Sequence, residues 1–461
     1  MRLSVIGLGK LGSPIAAVMA AKGHTVMGVD ISPGFVNAIN QGRSPVNEPG
    51  LDELISNNRQ RLTATTDCAE AVAASDITFI IVPTPSEADG QFSLRHVLAA
   101  GESIGQALRH KSGYHLSVLS STVMPGSTGG DLLPLLESVS GKRCGEDFGL
   151  CYSPEFIALG SVIRDMLNPD LVLIGESDAR AGDILVELYR GVCESNPIVA
   201  RMNFVNAELT KLSVNTFVTT KISYANMLAQ VCDKLPGADV EVVTRALGAD
   251  SRIGGKYLKG ALGYGGPCFP RDNLAFSALA RQHGVTATLA EATDILNRQQ
   301  VPRLAGLIVD RLPQGGIAGV AGLSYKPDTD VIDESQGLLL AKHLLARGVE
   351  VVVYDPAAME NARPALVGKV RFAASIEDCA YEADVLAITT AWSQFRQLRP
   401  EALGALNGRT KTVIDCWRIL PRDAFEAVAE YLTLGCGRAV ESAAAVTSQP
   451  ARALEVQARG D

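Results

Sequence analysis

The sequence predicts an α/β protein in which two doubly wound parallel-sheet units flank a central helical region. Three observations carry this. Short β-branched apolar runs alternate with helical stretches over roughly the first 200 residues; strand patterns vanish from about Val199 to Arg298; the alternation then resumes after Gly315. Strands covered on both faces read as near-continuous apolar runs, and the helices between them supply the crossovers that parallel strands require.

The strands of the first unit are RLSVIGLG (2–9), HTVMGVD (24–30), DITFIIVPTP (76–85), HLSVLSSTV (115–123) and LVLIGE (171–176), with SPIAAVMAAKG (13–23) an Ala-rich helix stopped by glycine. NAELTKLSVNTFVTTKISYANMLAQVCDKL (206–235) has no Pro or Gly and keeps apolar spacings of three and four, so it predicts one long helix. The second unit has strands at GGIAGVAGLSY (315–325), VEVVVYDP (349–356), ADVLAITTA (383–391) and KTVIDCW (411–417). The two units echo each other, since Asp30 and Asp355 each end a second strand. These patterns set expected domains of 1–198, 199–298 and 299–438, both outer ones Rossmann-like, followed by a small-residue polar tail (439–461) expected to be disordered.

Over 461 residues the formal net charge is −8, which argues against nucleic-acid binding. The nine cysteines are odd in number and include no CxxC pair, and the six histidines are scattered, so no metal site is expected. The opening MRLSVIGLGK is too short and glycine-rich for a signal peptide, and no window reaches the length of a membrane span. The expectation is a soluble cytoplasmic protein with reduced thiols.

GLGKLG (7–12) follows a predicted strand, opens a predicted helix and precedes Asp30 at the end of the next strand. Gly7 permits the tight turn, Gly9 lets a pyrophosphate approach the backbone, and Gly12 lets helix and strand pack closely. Asp30 accepts the ribose hydroxyls and repels a 2′-phosphate, favouring NAD over NADP. A second segment, LGYGGPCFPRDN (262–273), places Cys268 between two prolines after consecutive glycines. Glycines 263, 265 and 266 suggest close approach by a ligand. A helix starting near Arg271 would favour a thiolate. From these features alone Cys268 stands open between nucleophile and loop filler. The other eight cysteines read as packing residues.

A series of blocks in order then resembles the UDP-glucose/GDP-mannose dehydrogenase family: GLGKLG, PVNEPGL (45–51), VPTP (82–85), SSTVMPG (120–126), SPEF (153–156), AELTKLSVN (207–215), RIGGKYLKGALGYGGPCFPRD (252–272) and LSYKPDTD (323–330). The resemblance implies NAD-dependent oxidation of the C6 hydroxymethyl of a nucleotide-linked hexose to a carboxylate. It makes Cys268 the nucleophile that forms a thiohemiacetal and then a thioester. Lys211 is implied to stabilise the oxyanion and move protons, with Asn215 one turn on, and Asp272 to hold a catalytic water. Glu155 is implied to be the acid/base of thioester hydrolysis, and Thr122 to lie near the nicotinamide. Cofactor contacts are implied at Gly7, Gly9, Lys10, Leu11, Gly12, Asp30, Pro83, Thr84, Thr122, Glu155 and Lys326. Substrate contacts are implied at Glu155, Phe156, Lys211, Asn215, Arg252, Lys256, Tyr257, Leu258, Gly263, Tyr264, Gly265 and Lys326. The long helix is implied to be a dimer element, giving a homodimer or higher homo-oligomer.

Two departures bear on the substrate, and a third, at Asn47, carries no reading. Val331 and Asp333 stand where the family usually has an acidic residue and an arginine, Trp417 stands where an arginine contacts the sugar, and Asn47 replaces a common aromatic. UDP-glucose is the expected substrate, with GDP-mannose and N-acetylated UDP-sugars as alternatives within the family. Outside it stand a non-catalytic nucleotide-sugar-binding relative and a two-electron alcohol dehydrogenase, neither of which would need Cys268 with its partners.

Overall fold

The computed structural model describes residues 1–404 and 410–437, so the tail expected at 439–461 lies outside the described residues. The first sheet has eight strands: β1 (Arg2–Ile6), β2 (Thr25–Val29), β3 (Leu62–Thr65), β4 (Ile77–Ile80), β5 (His115–Leu119), β6 (Phe148–Tyr152), β7 (Leu171–Glu176) and β8 (Ile198–Met202). Their order is β3-β2-β1-β4-β5-β6-β7-β8. The strand order reverses between β1 and β4, and ligands of such sheets bind at that switch point, beyond the carboxyl ends of the strands. Helix α1 (Gly12–Ala21) starts directly there and is buried along nearly its whole length, so its small side chains let it lie close on the sheet.

Two features depart from the expectation. The β6–β7 pair is antiparallel, with Cys151 opposite Glu176 and Tyr152 opposite Gly175, so the sheet is not wholly parallel. Strand β8 runs to Met202, across the boundary expected after residue 198. Its half-exposed side chains explain why no apolar run marked it.

Helix α2 (Phe204–Cys232) spans 29 residues, close to the expected long helix, and Asn203 caps it by accepting from the Asn206 amide at 3.0 Å. Its inward face is largely polar: Glu208, Lys211, Asn215, Thr219, Ser223 and Asn226 are all buried. Its outward face leaves Val205, Leu209, Phe217, Tyr224, Met227 and Val231 exposed. Helices α3 (Val240–Ala249), α4 (Phe269–Gln282) and α5 (Thr288–Arg298) complete the central region, with α4 and α5 packed against α2.

The second sheet comprises β9 (Ile317–Ala321), β10 (Glu350–Tyr354), β11 (Val370–Phe372), β12 (Val385–Ile388), β13 (Thr412–Asp415) and β14 (Glu430–Thr433), all parallel, in the order β11-β10-β9-β12-β13-β14. Helix α6 (Gln336–Ala346) covers it as α1 covers the first. The echo between units extends to atoms. A Cβ on Gly12 would sit 1.8 Å from the Gly7 carbonyl oxygen, and one on Gly337 would sit 1.9 Å from that of Gly322. Asp30 accepts from the Leu8 amide at 2.7 Å, and Asp355 from the Leu323 amide at 2.7 Å. Asp355, however, is buried beneath Trp392, whose indole donates to it at 3.2 Å. That closes the second unit's equivalent of the ribose position, whereas Asp30 stays partly accessible.

Candidate active site

The loops at the carboxyl ends of both sheets meet across one cleft. Lys10 of the glycine loop pairs with Asp330 at 3.1 Å, and the Thr84 carbonyl accepts from Arg271 of α4 at 2.9 Å. Gly160, just past the SPEF segment, lies so close to the Asp328 carbonyl that a Cβ there would approach within 2.2 Å. Three parts of the chain, far apart in sequence, thus surround one space.

On the first sheet, Gly7 adopts φ 96°, and a Cβ there would meet the Ile81 carbonyl oxygen at 2.2 Å. By contrast, a Cβ on Gly9 would meet nothing within 4 Å. The tight glycines therefore hold the turn, while Gly9 borders open space at the start of α1, where a pyrophosphate can approach the backbone. Asp30 is fixed by the Leu8 amide at 2.7 Å and the Ser32 amide at 2.8 Å. These residues fit a dinucleotide with an unphosphorylated adenosine ribose. Replacing Asp30 by Asn removes the charge that excludes a 2′-phosphate and weakens the hydroxyl contacts. Ratios of kcat/KM for NADP over NAD are expected to rise at least about tenfold, the equivalent of one charge-assisted hydrogen bond. An unchanged ratio would remove Asp30 from cofactor choice.

The thiol side is built on α2 and α4. Cys268 is the N-cap of α4, with Pro270 in the first turn. It is solvent-exposed, yet the cleft walls crowd it. Burial pushes the thiol above its ordinary value, Asp272 adds to this, and Lys211 with Arg271 offsets only part of it. The helix terminus, expected to favour a thiolate, is therefore opposed by this crowding and by Asp272. Pro270 has no N–H to offer the sulfur, and Arg271 is engaged with the Thr84 carbonyl and lies 4.4 Å over the Phe92 ring.

Lys211 is buried on α2, donates to the Glu155 carbonyl oxygen at 2.6 Å and lies 4.4 Å over the Phe156 ring. Burial pulls its ammonium below the ordinary lysine range, while Asp272, Cys268 and Glu155 pull the other way. One turn on, Asn215 donates to Asp272 Oδ2 at 2.6 Å, both groups being buried. Asp272 Oδ1 is buried without a hydrogen-bond partner among the described residues, 3.6 Å from Arg271 Nε. That unfilled acceptor is where a water would be held. Burial pushes Glu155, in the loop after β6, up to about 7, against the pull of Tyr189 and Lys211. Thr122 lies in the loop after β5, its carbonyl accepting from Thr84 at 2.8 Å.

Other expected residues lie elsewhere or serve differently. Arg252 pairs with Asp250 at 2.6 Å and Lys256 with Asp170 at 2.7 Å, both at the surface. Tyr257 is exposed at φ 64°, whereas Leu258 is buried. Glycines 263, 265 and 266 do not front open space. A Cβ on each would strike Asn297 and Gln336, the Glu334 carbonyl, or the Tyr325 ring. The close approach reserved for a ligand is made by the chain's own 325–336 segment and by Asn297 of α5. Tyr264 is buried and bracketed by Asn297, whose Oδ1 accepts from its amide at 2.8 Å. Lys326 is half-buried beside Asp165, Asp328 and Glu48. Trp417 donates to the Thr389 carbonyl at 2.8 Å, and Arg418 turns away to Asp239 at 2.6 Å, so Arg418 does not replace the missing arginine.

Sequence reasoning missed two buried carboxylates that shape the loops. Glu48 accepts from the Gly160 and Val162 amides, each at 2.7 Å. Glu208 accepts from the Gly126 and Thr128 amides at 2.6 and 2.8 Å. Both lie within quoted blocks, and the prolines flanking Glu48 were the available signal.

A glycine loop and an anchored Asp30 fit to hold a nicotinamide dinucleotide on the first sheet, with a thiol on the helix across the cleft, define an NAD-dependent dehydrogenase. Three models of one family match in succession: the NAD-binding domain of the UDP-glucose/GDP-mannose dehydrogenase family over residues 1–193, its central domain over 205–299 and its UDP-binding domain over 319–422. The UDP-glucose 6-dehydrogenase AglM of Haloferax volcanii is 39% identical over 426 residues, covering 92% of this chain and 98% of its own. A GDP-mannose 6-dehydrogenase of Pseudomonas aeruginosa is 36% identical over 359 residues, covering 77% and 81% respectively. A solved UDP-glucose dehydrogenase from Pyrobaculum islandicum superposes with a TM-score of 0.84 at 36% identity, over 95% of this chain and 98% of that one. The chain belongs to the UDP-glucose/GDP-mannose dehydrogenase family, the NAD-dependent nucleotide-sugar 6-dehydrogenases. No helix among the described residues is long and apolar enough to cross a membrane.

Proposed function

We propose that this chain oxidises the C6 hydroxymethyl of UDP-glucose to the carboxylate of UDP-glucuronate through covalent intermediates on Cys268. The observation that carries this is the placing of Lys211 and Asp272 against the Cys268 thiol, with Asn215 bonded to Asp272 and the Glu155 main chain bonded to Lys211. An alcohol oxidation that stopped at the aldehyde would need no such thiol. The choice of UDP-glucose rests on the 39%-identical relative named a UDP-glucose 6-dehydrogenase.

When bound, NAD accepts a hydride from C6, and two cofactors do so in turn. The residues do the rest. The alcohol proton leaves toward the water on Asp272 as the aldehyde forms, and buried Lys211 steadies the developing oxyanion. Cys268 then adds to the aldehyde. A C–S bond forms, and the thiol proton reaches the former carbonyl oxygen by way of Lys211, whose lowered pKa suits it to take and return protons. Loss of the second hydride and the hydroxyl proton leaves a thioester. Water attacks it, Glu155 takes a water proton, the C–S bond breaks and the thiol is restored. One water is consumed; two hydrides and three protons leave.

The apolar outward face of α2 supports a homodimer built on that helix, since water otherwise covers Phe217, Tyr224 and Val231. The assay that tests the activity measures NADH formed per sugar consumed across UDP-glucose, GDP-mannose and UDP-N-acetylhexosamines. Two NADH with UDP-glucose is the expected result. One NADH would mean an aldehyde product; turnover only with another sugar would move the substrate, and none at all would indicate a binding protein.

A further inference from the structure

Tyr189 belongs to no recognised motif, yet it ends at the reacting cluster. It lies on the helix Ala179–Val192, its ring is buried in the first unit's core, and its only polar atom meets the site. That hydroxyl donates to Glu155 Oε1 at 3.1 Å and sits 3.1 Å from the buried Ser153 hydroxyl. Glu155 Oε2 takes no hydrogen bond among the described residues. The main chain beside it is fixed separately, because Lys211 holds the Glu155 carbonyl oxygen at 2.6 Å. One carboxylate oxygen is therefore anchored and the other left for water.

We propose that Tyr189, braced by Ser153, is a positioning residue for thioester hydrolysis, holding Glu155 so that its second oxygen receives the proton of the attacking water. This rests on the assignment of Glu155 as the base of that step. The hydrogen bond has a second effect of known sign. The working form of Glu155 is the carboxylate, and a phenol donor favours that form. Other groups facing Glu155 are Lys211 from α2 and the Cys193 thiol beyond the helix end, with Lys22 near that thiol. Lys211 also favours the carboxylate. Burial opposes both and leaves Glu155 raised to about 7. Hydrolysis therefore rises with pH through this region, and removing the phenol donor moves the rise to higher pH.

The test follows the acyl group on the protein by intact mass after mixing with NAD and UDP-glucose and quenching, from pH 5.5 to 9. Wild type is compared with Tyr189→Phe, Ser153→Ala and Glu155→Gln. Tyr189→Phe is expected to shift the acid limb of hydrolysis up by about one pH unit, the scale of one hydrogen bond to a charge. Below neutrality that is about a tenfold slower loss of the adduct, recovering at high pH, with KM for NAD and UDP-glucose unchanged. Ser153→Ala keeps the buried ring and is expected to give a smaller shift of the same sign. Glu155→Gln is expected to retain the adduct at every pH. If Glu155→Gln retains it but both other variants match the wild-type limb, Tyr189 has no positioning role. If Glu155→Gln hydrolyses like wild type, the assignment of Glu155 itself is overturned.

Discussion

Cys268→Ser is expected to lower steady-state turnover by at least about 10⁴-fold, the scale seen when a covalent nucleophile is removed. A serine hydroxyl is a far weaker acid and nucleophile than a thiol, so the Lys211 that takes the thiol proton does not activate it. The crowding that already raises the thiol would raise an alkoxide further, and the nearest bases are shared with Asn215 and the Glu155 carbonyl. The substitution is nearly isosteric at an exposed helix cap, so stability is expected to change by less than about 0.5 kcal/mol. NAD binding, anchored by the glycine loop and Asp30 on the other wall of the cleft, is expected to be unchanged. Turnover near the wild-type rate would remove the thioester from the mechanism.

The second large effect belongs to the glycine loop, where two substitutions separate folding from binding. In Gly12→Ala the new Cβ would lie 1.8 Å from the Gly7 carbonyl oxygen, which is backbone and cannot swing aside. Strand β1 and helix α1 must part, at a cost of about 1–3 kcal/mol or more. A lower melting temperature and a KM for NAD raised more than about tenfold are expected together. In Gly9→Ala the Cβ meets no protein atom within 4 Å, so melting is expected to be unchanged. The methyl instead occupies the face a pyrophosphate must approach, and the KM for NAD rises alone. Equal melting losses in both variants would refute this division of roles.

Much of this was legible in the sequence, for reasons that differ by element. The β7 run LVLIGE was read to the residue and α2 to within a few, because one is a continuous apolar block and the other thirty residues without Pro or Gly. Strands β3, β6, β8, β11 and β14 were not read: β3, β8, β11 and β14 are mostly half-buried or exposed and show no apolar run, and β6, FGLCY, is interrupted by glycine. The antiparallel pairing of β6 with β7 had no signature, since a buried strand reads alike in either direction. In the site, block order pointed to Cys268, Lys211, Asn215, Asp272 and Glu155; the structure bonds Asn215 to Asp272 and Lys211 to the Glu155 carbonyl.

What escaped were roles set by neighbours far along the chain. The glycines at 263, 265 and 266 announced a close approach, but only the fold shows that the approaching groups are the 325–336 segment and Asn297. The helix end behind Cys268 suggested a thiolate, yet crowding and Asp272 oppose it. Buried Glu48 and Glu208 went unread because a charged residue is by default a solvated one.

Mass spectrometry of the Glu155→Gln variant, quenched after mixing with NAD and UDP-glucose, tests the covalent step most directly. The predicted result is a sugar-derived mass on the peptide carrying Cys268, absent when Cys268→Ser is added to the same variant. Carboxylate product accumulating with no such mass on that peptide would contradict it.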